Sequence, residues 1–237
     1  MSNITFGIGI LTYNKPKTLE TTLETYKIHG LLDMCDEKII LLQGNNNEER
    51  NIANKYNLKI YHTDSNIGIG EGNNFLIDKL TSEYFIILQN DFNLIENPLT
   101  EIKKGIDLLK EDKIHCYRLR HLLNPGQPCY CAYRIPNETI GETHSSGVLF
   151  YNFIQNPEIR YPHIFEKYDS IYIISSKYCN YTENPCLYNR QWYLNTIYPF
   201  NKIEGTEAEN NVQNFWQNKD FKIGIGPGLF SHNDMRC

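Results

Sequence analysis

The side chains best suited to chemistry follow a short apolar run in the first half of the 237-residue sequence. Gln89, Asn90 and Asp91, which are two amides and a carboxylic acid, come directly after the apolar residues 84–88. Such a run is typical of a parallel strand that is covered on both faces. Ligands of open α/β sheets bind at the carboxyl ends of the strands, so this pattern predicts a polar ligand site at residues 89–91.

The stretch upstream supplies a turn and a helix that can position this cluster. Gly68, Gly70 and Gly72 let the backbone turn sharply and approach a ligand closely. Asn73 is predicted to cap a helix that continues to residue 79 or 80. The glycine spacing is neither a GxGxxG fingerprint nor a Walker A loop, which weakens a hydride-transfer or ATPase interpretation.

The chain around this stretch alternates between apolar strands and helices. Strands are predicted at residues 5–11, 38–42, 58–62 and 84–88, with helices between them. Pro16 suits the first turn of the first helix, which is predicted over 17–29. The order β-α-β-α-β-α-β predicts an α/β fold with a mostly parallel sheet and right-handed crossovers.

The second half of the sequence is predicted to be less regular, with loops and antiparallel strands. Helices are predicted at 98–109, 190–196 and 207–218, and strands at 114–119, 147–151, 170–174 and 221–225. The Gly226-Pro227-Gly228 run predicts a built turn before His232. The length and the lack of a long linker predict one domain.

Composition excludes several classes of protein. The net charge of −5 and the pI near 5.8 argue against a nucleic-acid binder, which needs a basic face. No apolar run approaches the length of a membrane span, and the N-terminus lacks the features of a signal peptide. The seven cysteines form no CxxC pair, so we expect reduced thiols and a soluble, cytoplasmic protein.

The central stretch resembles the donor-binding half of GT-A glycosyltransferases, in particular the inverting enzymes of family 2. The matching residues are Asn66-Ile67-Gly68, Gly70, Gly72-Asn73, Glu83-Tyr84, the apolar run 85–88 and Gln89-Asn90-Asp91. Gln89 replaces the first acid of the family's DxD motif. The compact chain and its late histidine also resemble glycosyltransferase domains of large DNA viruses, in which case it would act in the host cytoplasm.

The resemblance implies a GT-A fold, with a mostly parallel central sheet flanked by helices and a smaller antiparallel acceptor-side region. Residues 1–120 would form the nucleotide-sugar-binding half, and residues 121–237 the acceptor-side and catalytic half. The implied activity is transfer of a hexosyl or deoxyhexosyl group from a nucleotide-sugar, a UDP-sugar above all, to a carbohydrate or glycoconjugate acceptor in glycan biosynthesis.

The resemblance also implies a set of donor contacts. Thr12, Tyr13 and Asn14 follow the first strand, where the family binds the base; their competing interpretation is an ordinary strand-to-helix turn. Gln43 stands where the family often has an Asp that binds the base or ribose. The full set of expected donor-binding residues is Thr12, Tyr13, Asn14, Gln43, Asn66, Gly68, Gly72, Asn73, Gln89 and Asn90.

For the diphosphate, the resemblance implies a divalent cation held by Asp91 and His232. Mn²⁺ and Mg²⁺ prefer oxygen ligands and share their shells with substrate phosphates, and an imidazole ligand favours Mn²⁺ over Mg²⁺. The competing interpretations are that Asp91 caps a turn and that His232 is solvated surface. The hypothesis requires these two side chains to converge.

For the proton of the acceptor hydroxyl, the family's catalytic aspartate aligns with Glu209, and Glu207 is the alternative. Acidic residues at a helix N-terminus are also favoured by the macrodipole, without any catalytic role. Arg190 and Trp192 follow a segment that resembles the family's acceptor side, so they are expected to border the acceptor unless they belong to the core.

Two other classes of protein remain open. A sugar nucleotidyltransferase on a related sheet would prefer a glycine-rich, basic loop after the first strand, but residues 12–17 offer just two lysines, Lys15 and Lys17. A binding module that keeps the fold without catalysis is the alternative that Gln89 and Asn90 favour.

Overall fold

The computed structural model describes residues 4–127, 133–135, 138–140, 157–201 and 208–233. The helices are α1 (Pro16–Ile28), α2 (Leu31–Met34), α3 (Asn47–Lys55), α4 (Ile69–Lys79), α5 (Leu99–Lys110), α6 (Pro157–Arg160), α7 (Arg190–Thr196) and α8 (Ala208–Gln217), with a 3-10 turn at Tyr198–Phe200. The strands are β1 (Phe6–Thr12), β2 (Glu37–Gln43), β3 (Lys59–Thr63), β4 (Tyr84–Gln89), β5 (Phe92–Leu94), β6 (Cys116–Arg120), β7 (Gly126–Gln127), β8 (Tyr133–Ile135), β9 (Glu138–Ile140), β10 (Phe165–Tyr168), β11 (Ile171–Ser175), β12 (Cys186–Asn189) and β13 (Lys222–Asn233).

One mixed sheet organises the described chain. Its order is β10-β11-β13-β6-β12-β4-β1-β2-β3, and β5 and β7 pair with β13. β3, β2, β1 and β4 are mutually parallel, as the β-α-β-α-β-α-β pattern predicted. The antiparallel pairs involve β12, β5 and the β10-β11-β13 edge. The predicted α/β architecture, mostly parallel at its centre with a smaller antiparallel region, is therefore confirmed.

The central strands are buried on both faces because helices cover each side. Every residue of β1 is buried. Along β2, Ile40 and Leu42 join the core under α1, α3 and α5, whereas Ile39 and Leu41 join the core under α4, α7 and α8. This explains why these strands read as unbroken apolar runs rather than as an alternating pattern.

Helix α4 begins four residues before the predicted cap at Asn73. Asn66 Oδ1 accepts a hydrogen bond from the Gly68 N–H at 2.8 Å, and Gly68 has φ 83° and ψ 172°, a conformation that favours glycine. The turn is therefore completed at Gly68, and Asn73 lies inside the helix, where it is buried. Its side chain does not cap the helix, and its Nδ2 donates to Glu183 Oε1 at 3.4 Å.

Two strands of the second half differ from the prediction. β12 inserts antiparallel between β4 and β6, although the sequence predicted no strand there. β13 does not end at residue 225 but continues to Asn233. Its pairing with β6 changes register between Ile225 and Phe230, and the glycine-proline run lies within this irregular part of the strand. The strand predicted at 147–151 lies outside the described residues.

The expectations for the cysteines and for membrane spans can be compared with the part of the chain that the structure describes. Cys35, Cys116, Cys179 and Cys186 are buried free thiols. None of the helices in these ranges combines the length and apolar character needed to cross a membrane.

Candidate active site

The carboxyl ends of β1 and β4 place the predicted polar cluster at one edge of the sheet. Gln89 is the last residue of β4 and pairs with Leu11, and the Asn90 N–H donates to Leu11 O at 3.1 Å. A turn at Asn90 and Asp91 then leads into β5. Because β5 pairs with β13, with Phe92 opposite His232, this turn brings the C-terminal strand to the same edge.

Asp91 and His232 meet at this turn. His232 Nε2 lies 3.5 Å from Asp91 Oδ2, and the two side chains are 13% and 14% exposed. The Asn233 N–H donates to Asp91 O at 2.7 Å, and the His232 ring lies against Phe92 with centroids 4.7 Å apart. The backbone and the packing therefore fix both side chains, and the convergence that the metal hypothesis required is present in the geometry.

Two side chains of helix α1 hydrogen-bond to the backbone of the turn at Asn90 and Asp91. The Thr22 hydroxyl donates to Asn90 O at 2.7 Å, and the Tyr26 hydroxyl donates to Phe92 O at 2.7 Å. Both donors are fully buried. The backbone on either side of Asp91 is thus held by the interior of the protein, as a site that depends on geometry requires.

The cluster contains buried polar atoms without a partner. Asp91 Oδ1, Asn90 Nδ2 and Asn73 Oδ1 are all buried and make no hydrogen bond with the described protein. Buried polar atoms are normally satisfied, and a ligand at this edge of the sheet could supply the partners that these three atoms lack.

A carboxylate oxygen beside an imidazole nitrogen could hold a divalent cation. The described ranges contain no group of three or more His, Cys, Asp and Glu side chains arranged for a metal ion. Asp91 and His232 would therefore be a partial shell, which suits cations that take their other ligands from water and substrate phosphates. The orphaned Asp91 Oδ1 fits this interpretation.

The expected base-binding residues lie at the end of β1, but their side chains diverge. The Tyr13 ring is 44% exposed and covers Gly44, where an added Cβ would lie 3.3 Å from the ring. Asn14 Oδ1 accepts a hydrogen bond from Asn46 Nδ2 at 3.2 Å. Tyr13 thus offers an open aromatic face beside the edge of the sheet.

The Thr12 side chain makes a buried hydrogen bond. Its hydroxyl donates to Glu49 Oε1 at 2.6 Å, and the same oxygen accepts the Lys15 N–H at 2.9 Å. Glu49 is fully buried, so it ties the strand-to-helix turn to α3. The Thr12 hydroxyl is therefore directed into the interior, and its expected contact with the donor stays a prediction.

Gln43, Asn66 and Gly68 shape the glycine turn. Gln43 Oε1 accepts the Ile67 N–H at 2.7 Å, while Asn66 supports Gly68 as described above. Gly72 packs on Leu11, where an added Cβ would lie 2.7 Å from the leucine methyl carbon. Gln43 and Asn66 thus hold the backbone of the turn at the carboxyl edge, next to Asn73.

Glu209 lies at the start of α8 on the same edge of the sheet. It is exposed, and its Oε1 accepts the Glu183 N–H at 2.8 Å. Glu183 Oε1 in turn lies 3.4 Å from Asn73 Nδ2. Burial, and then the charge of Glu209, raises the pKa of Glu183 to about 8. The alternative Glu207 lies outside the described residues.

Glu183 was not found from the sequence. It lies just ahead of β12, and this strand enters the sheet beside the carboxyl end of β4. A carboxylate just before a strand that runs antiparallel to β4 would have indicated this position. The sequence gives that indication only if β12 is recognised as a strand.

Arg190 and Trp192 lie at the opposite edge of the sheet. The Arg190 N–H donates to Glu83 O, next to the first residue of β4, and its guanidinium donates to Ile77 O near the end of α4. Trp192 stacks on Tyr188, with ring centroids 6.1 Å apart. The six residues of β4 separate the two edges by roughly 17 Å. Both side chains thus make contacts within the protein at this edge, and their expected place beside the acceptor stays a prediction.

Comparison with solved structures shows that the chain has the GT-A glycosyltransferase fold. S. aureus TarS 1–349 in complex with UDP-GlcNAc matches with a TM-score of 0.61 and 12% identity, over 99% of this chain and 60% of that chain. The same protein in complex with UDP matches with a TM-score of 0.59 and 14% identity, over 97% of this chain and 60% of that chain. This chain thus spans about 60% of the TarS chain that it matches. No family model and no curated protein matches the sequence.

Proposed function

We propose that this protein is an inverting, metal-assisted glycosyltransferase that moves a hexosyl or deoxyhexosyl group from a UDP-sugar to a carbohydrate acceptor. The observation that carries the proposal is the pair formed by Asp91 and His232, 3.5 Å apart at the carboxyl edge of a GT-A sheet and next to orphaned buried polar atoms. The UDP and UDP-GlcNAc complexes of TarS support a uridine donor here.

The nucleotide would lie along the carboxyl edge between Tyr13 and the turn at Asp91. Tyr13 presents an open ring for the base, and such stacking tolerates different bases. Gln43 and Asn66 hold the glycine turn in the shape that lets its backbone approach the ribose and phosphates. Asn73, Gln89 and Asn90 would supply hydrogen bonds from amides that carry no charge.

Asp91 and His232 would bind a divalent cation together with the donor diphosphate. A bound cation of this kind would stabilise the negative charge that develops on the departing nucleoside diphosphate. Gln89 at the first acidic position of the motif removes one negative charge. We therefore expect a site that binds metal weakly without nucleotide and well with it.

Glu209 would act as the general base. Its carboxylate takes the proton of the acceptor hydroxyl while the acceptor oxygen bonds to the anomeric carbon and the bond to the diphosphate oxygen breaks. This single displacement inverts the anomeric configuration. Glu209 suits the role because its side chain is exposed and its Oε1 accepts the Glu183 N–H.

Calorimetric titration with UDP, with and without Mn²⁺, tests the donor site. We expect the wild type to bind UDP at least tenfold more tightly with Mn²⁺, and Asp91→Asn to lose this gain. Asp33→Asn, which changes an exposed carboxylate on α2, is the matched control and should behave as the wild type. Equal Mn²⁺ dependence in wild type and Asp91→Asn would remove Asp91 from the metal role.

Turnover with a panel of UDP- and GDP-sugars tests catalysis. Glu209→Gln should bind UDP normally and lose transfer by about 10²–10⁴-fold, the usual contribution of a general base. Loss in Glu207→Gln alone would move the assignment to Glu207. Full activity in both variants would defeat a glutamate base, and donor binding without turnover in the wild type would favour a binding module.

A further inference from the structure

A cavity of about 300 Å³ lies at the edge of the sheet opposite Asp91, between the starts of β4 and β6 and the helices α5 and α7. Its polar and aromatic lining residues include Glu83, Lys110, Asp112, His115, Asn189 and Trp192. The volume is at the lower end of the roughly 300–1,000 Å³ that is usual for small-molecule sites. The cavity therefore has room for one small ligand, and the proposed donor site does not use it.

The Trp192 indole is held in place by three other rings. It stacks on Tyr188 with centroids 6.1 Å apart, meets Phe221 edge to face at 5.3 Å and lies 5.6 Å from the His115 ring. Trp192 is nevertheless only half-buried, so part of its surface stays open to a ligand. A ring that is already fixed loses little conformational freedom when a ligand packs on it. The apolar C–H face of a sugar ring can pack on such an aromatic surface.

The polar groups of the lining combine hydrogen-bond donors with acceptors. His115 Nδ1 accepts the Lys222 N–H at 2.9 Å, so the proton of the neutral imidazole is on Nε2, which is then a donor. Burial lowers the pKa of His115 below its usual value of 6.5, which keeps the ring neutral at neutral pH. Glu83 and Asp112 add carboxylate acceptors, and Lys110 adds an ammonium donor. Sugar hydroxyls, which both donate and accept, match this combination.

The charge of the lining favours a neutral ligand. The carboxylates of Glu83 and Asp112 outnumber the ammonium of Lys110, because the His115 ring is uncharged. A phosphate or a nucleotide brings further negative charge and would be repelled, since like charges at a contact suppress binding. A neutral carbohydrate meets no such penalty.

We propose that this cavity is a second binding site, which takes a neutral sugar unit of a carbohydrate chain through stacking on Trp192 and hydrogen bonds to the polar lining. A ligand in it lies at the edge opposite Asp91, so it takes no part in the transfer itself and would anchor a distant part of the acceptor. The link to the acceptor rests on the proposed function. Sugar binding itself needs neither Asp91 nor Glu209, and it is measured without turnover.

The indole N–H signals in ¹H–¹⁵N NMR spectra test this site. The chain has two tryptophans, and Trp216 is 1% exposed, so it is an internal control. Trp192→Phe identifies the Trp192 signal. Among the methyl glycosides of glucose, N-acetylglucosamine, galactose and rhamnose, we expect at least one to shift this signal saturably, with a Kd on the order of 1 mM, while the Trp216 signal stays in place. UDP alone should leave the Trp192 signal unchanged. The absence of a saturable shift with any of the four glycosides, or a shift with UDP alone, would overturn the proposal.

Variants of the lining test which side chains hold the sugar, with the affinity for the responding glycoside measured by calorimetry. Trp192→Ala should weaken binding by about tenfold, and Trp192→Phe, which keeps a ring, by less. Glu83→Ala should weaken it several-fold with little change in Tm, because the side chain is exposed and loses only a hydrogen bond to the sugar. Glu166→Ala removes an exposed carboxylate on β10, outside the cavity, and is the matched control.

UDP affinity in the presence of Mn²⁺ should be unchanged in all of these variants, which separates this site from the donor site. Equal glycoside affinity in wild type, Glu83→Ala and Trp192→Phe would refute the assignment of the cavity. Glycoside binding that persists when UDP binding is lost in Asp91→Asn would support the second site even if the proposed transfer reaction fails.

Discussion

Replacement of Glu183 by glutamine should make the stability of the protein less dependent on pH. The folded protein raises the pKa of this carboxyl from 4.5 to about 8, so between these values the folded state binds a proton that the unfolded state releases. The stabilisation is fully present below about pH 4.5 and is lost as pH rises to about 8. Glutamine has no proton to release, and the variant escapes this loss.

The size of this change in stability follows from the shift in the pKa of Glu183. Each pKa unit corresponds to about 1.4 kcal/mol, which gives a ceiling near 5 kcal/mol for the full shift. Glu183 is only half-buried, so solvent reduces this value, and we expect about 2 kcal/mol. For a chain of 237 residues, about 2 kcal/mol corresponds to a change in Tm of roughly 4–8 °C.

Thermal unfolding of wild type and Glu183→Gln at about pH 5 and about pH 9 measures this difference. We expect similar Tm values at the lower pH and a higher Tm for the variant at the upper pH. All other titrating groups are shared and cancel in the comparison, and Glu166→Gln controls for the loss of a surface charge. A difference in Tm that is the same at both pH values would refute the reasoning.

Three further predictions test the site. Tyr13→Ala should weaken UDP binding by about 1–3 kcal/mol, measured by calorimetry, with little change in Tm because the ring is exposed. Gly126→Ala should lower both Tm and Mn²⁺-dependent UDP binding, because the added Cβ would collide with the backbone of His232. Gly30→Ala is the control: Gly30 has a similar positive φ but open space around it, so this variant should lower Tm alone. Arg190→Gln should leave UDP affinity unchanged and lower unfolding stability by about 1 kcal/mol or more, because its hydrogen bonds to Ile77 O lie at the far edge of the sheet; a large loss of UDP affinity would contradict that placement.

The sequence could predict the features that depend on local patterns of residues. The strands β1, β2 and β4 contain continuous apolar runs, and these runs are largely buried, as the pattern requires. The convergence of Asp91 with His232 could be expected because both residues follow recognisable motifs. The start of α4 was misjudged because a single bond, from Gly68 to Asn66, decides it.

The remaining features depend on contacts between distant parts of the chain. β12 has four residues and is defined by its two neighbours, β4 and β6, rather than by its own pattern. Without β12, neither the position of Glu183 nor the distance of Arg190 from the site can be derived. The Thr12 hydroxyl is directed by Glu49, 37 positions away, and no local rule predicts this bond.

The most direct measurement of the central claim is the effect of Mn²⁺ on the histidine side chains. In ¹⁵N-histidine NMR spectra, added Mn²⁺ with UDP should broaden the His232 ring signals, identified by their absence in His232→Gln. The signals of His115, which packs on Trp192 at the other edge of the sheet, should be broadened far less. In Asp91→Asn, the broadening at His232 should be greatly reduced. Sharp His232 signals in a protein that binds UDP and Mn²⁺, or equal broadening of His115, would contradict a cation site between Asp91 and His232.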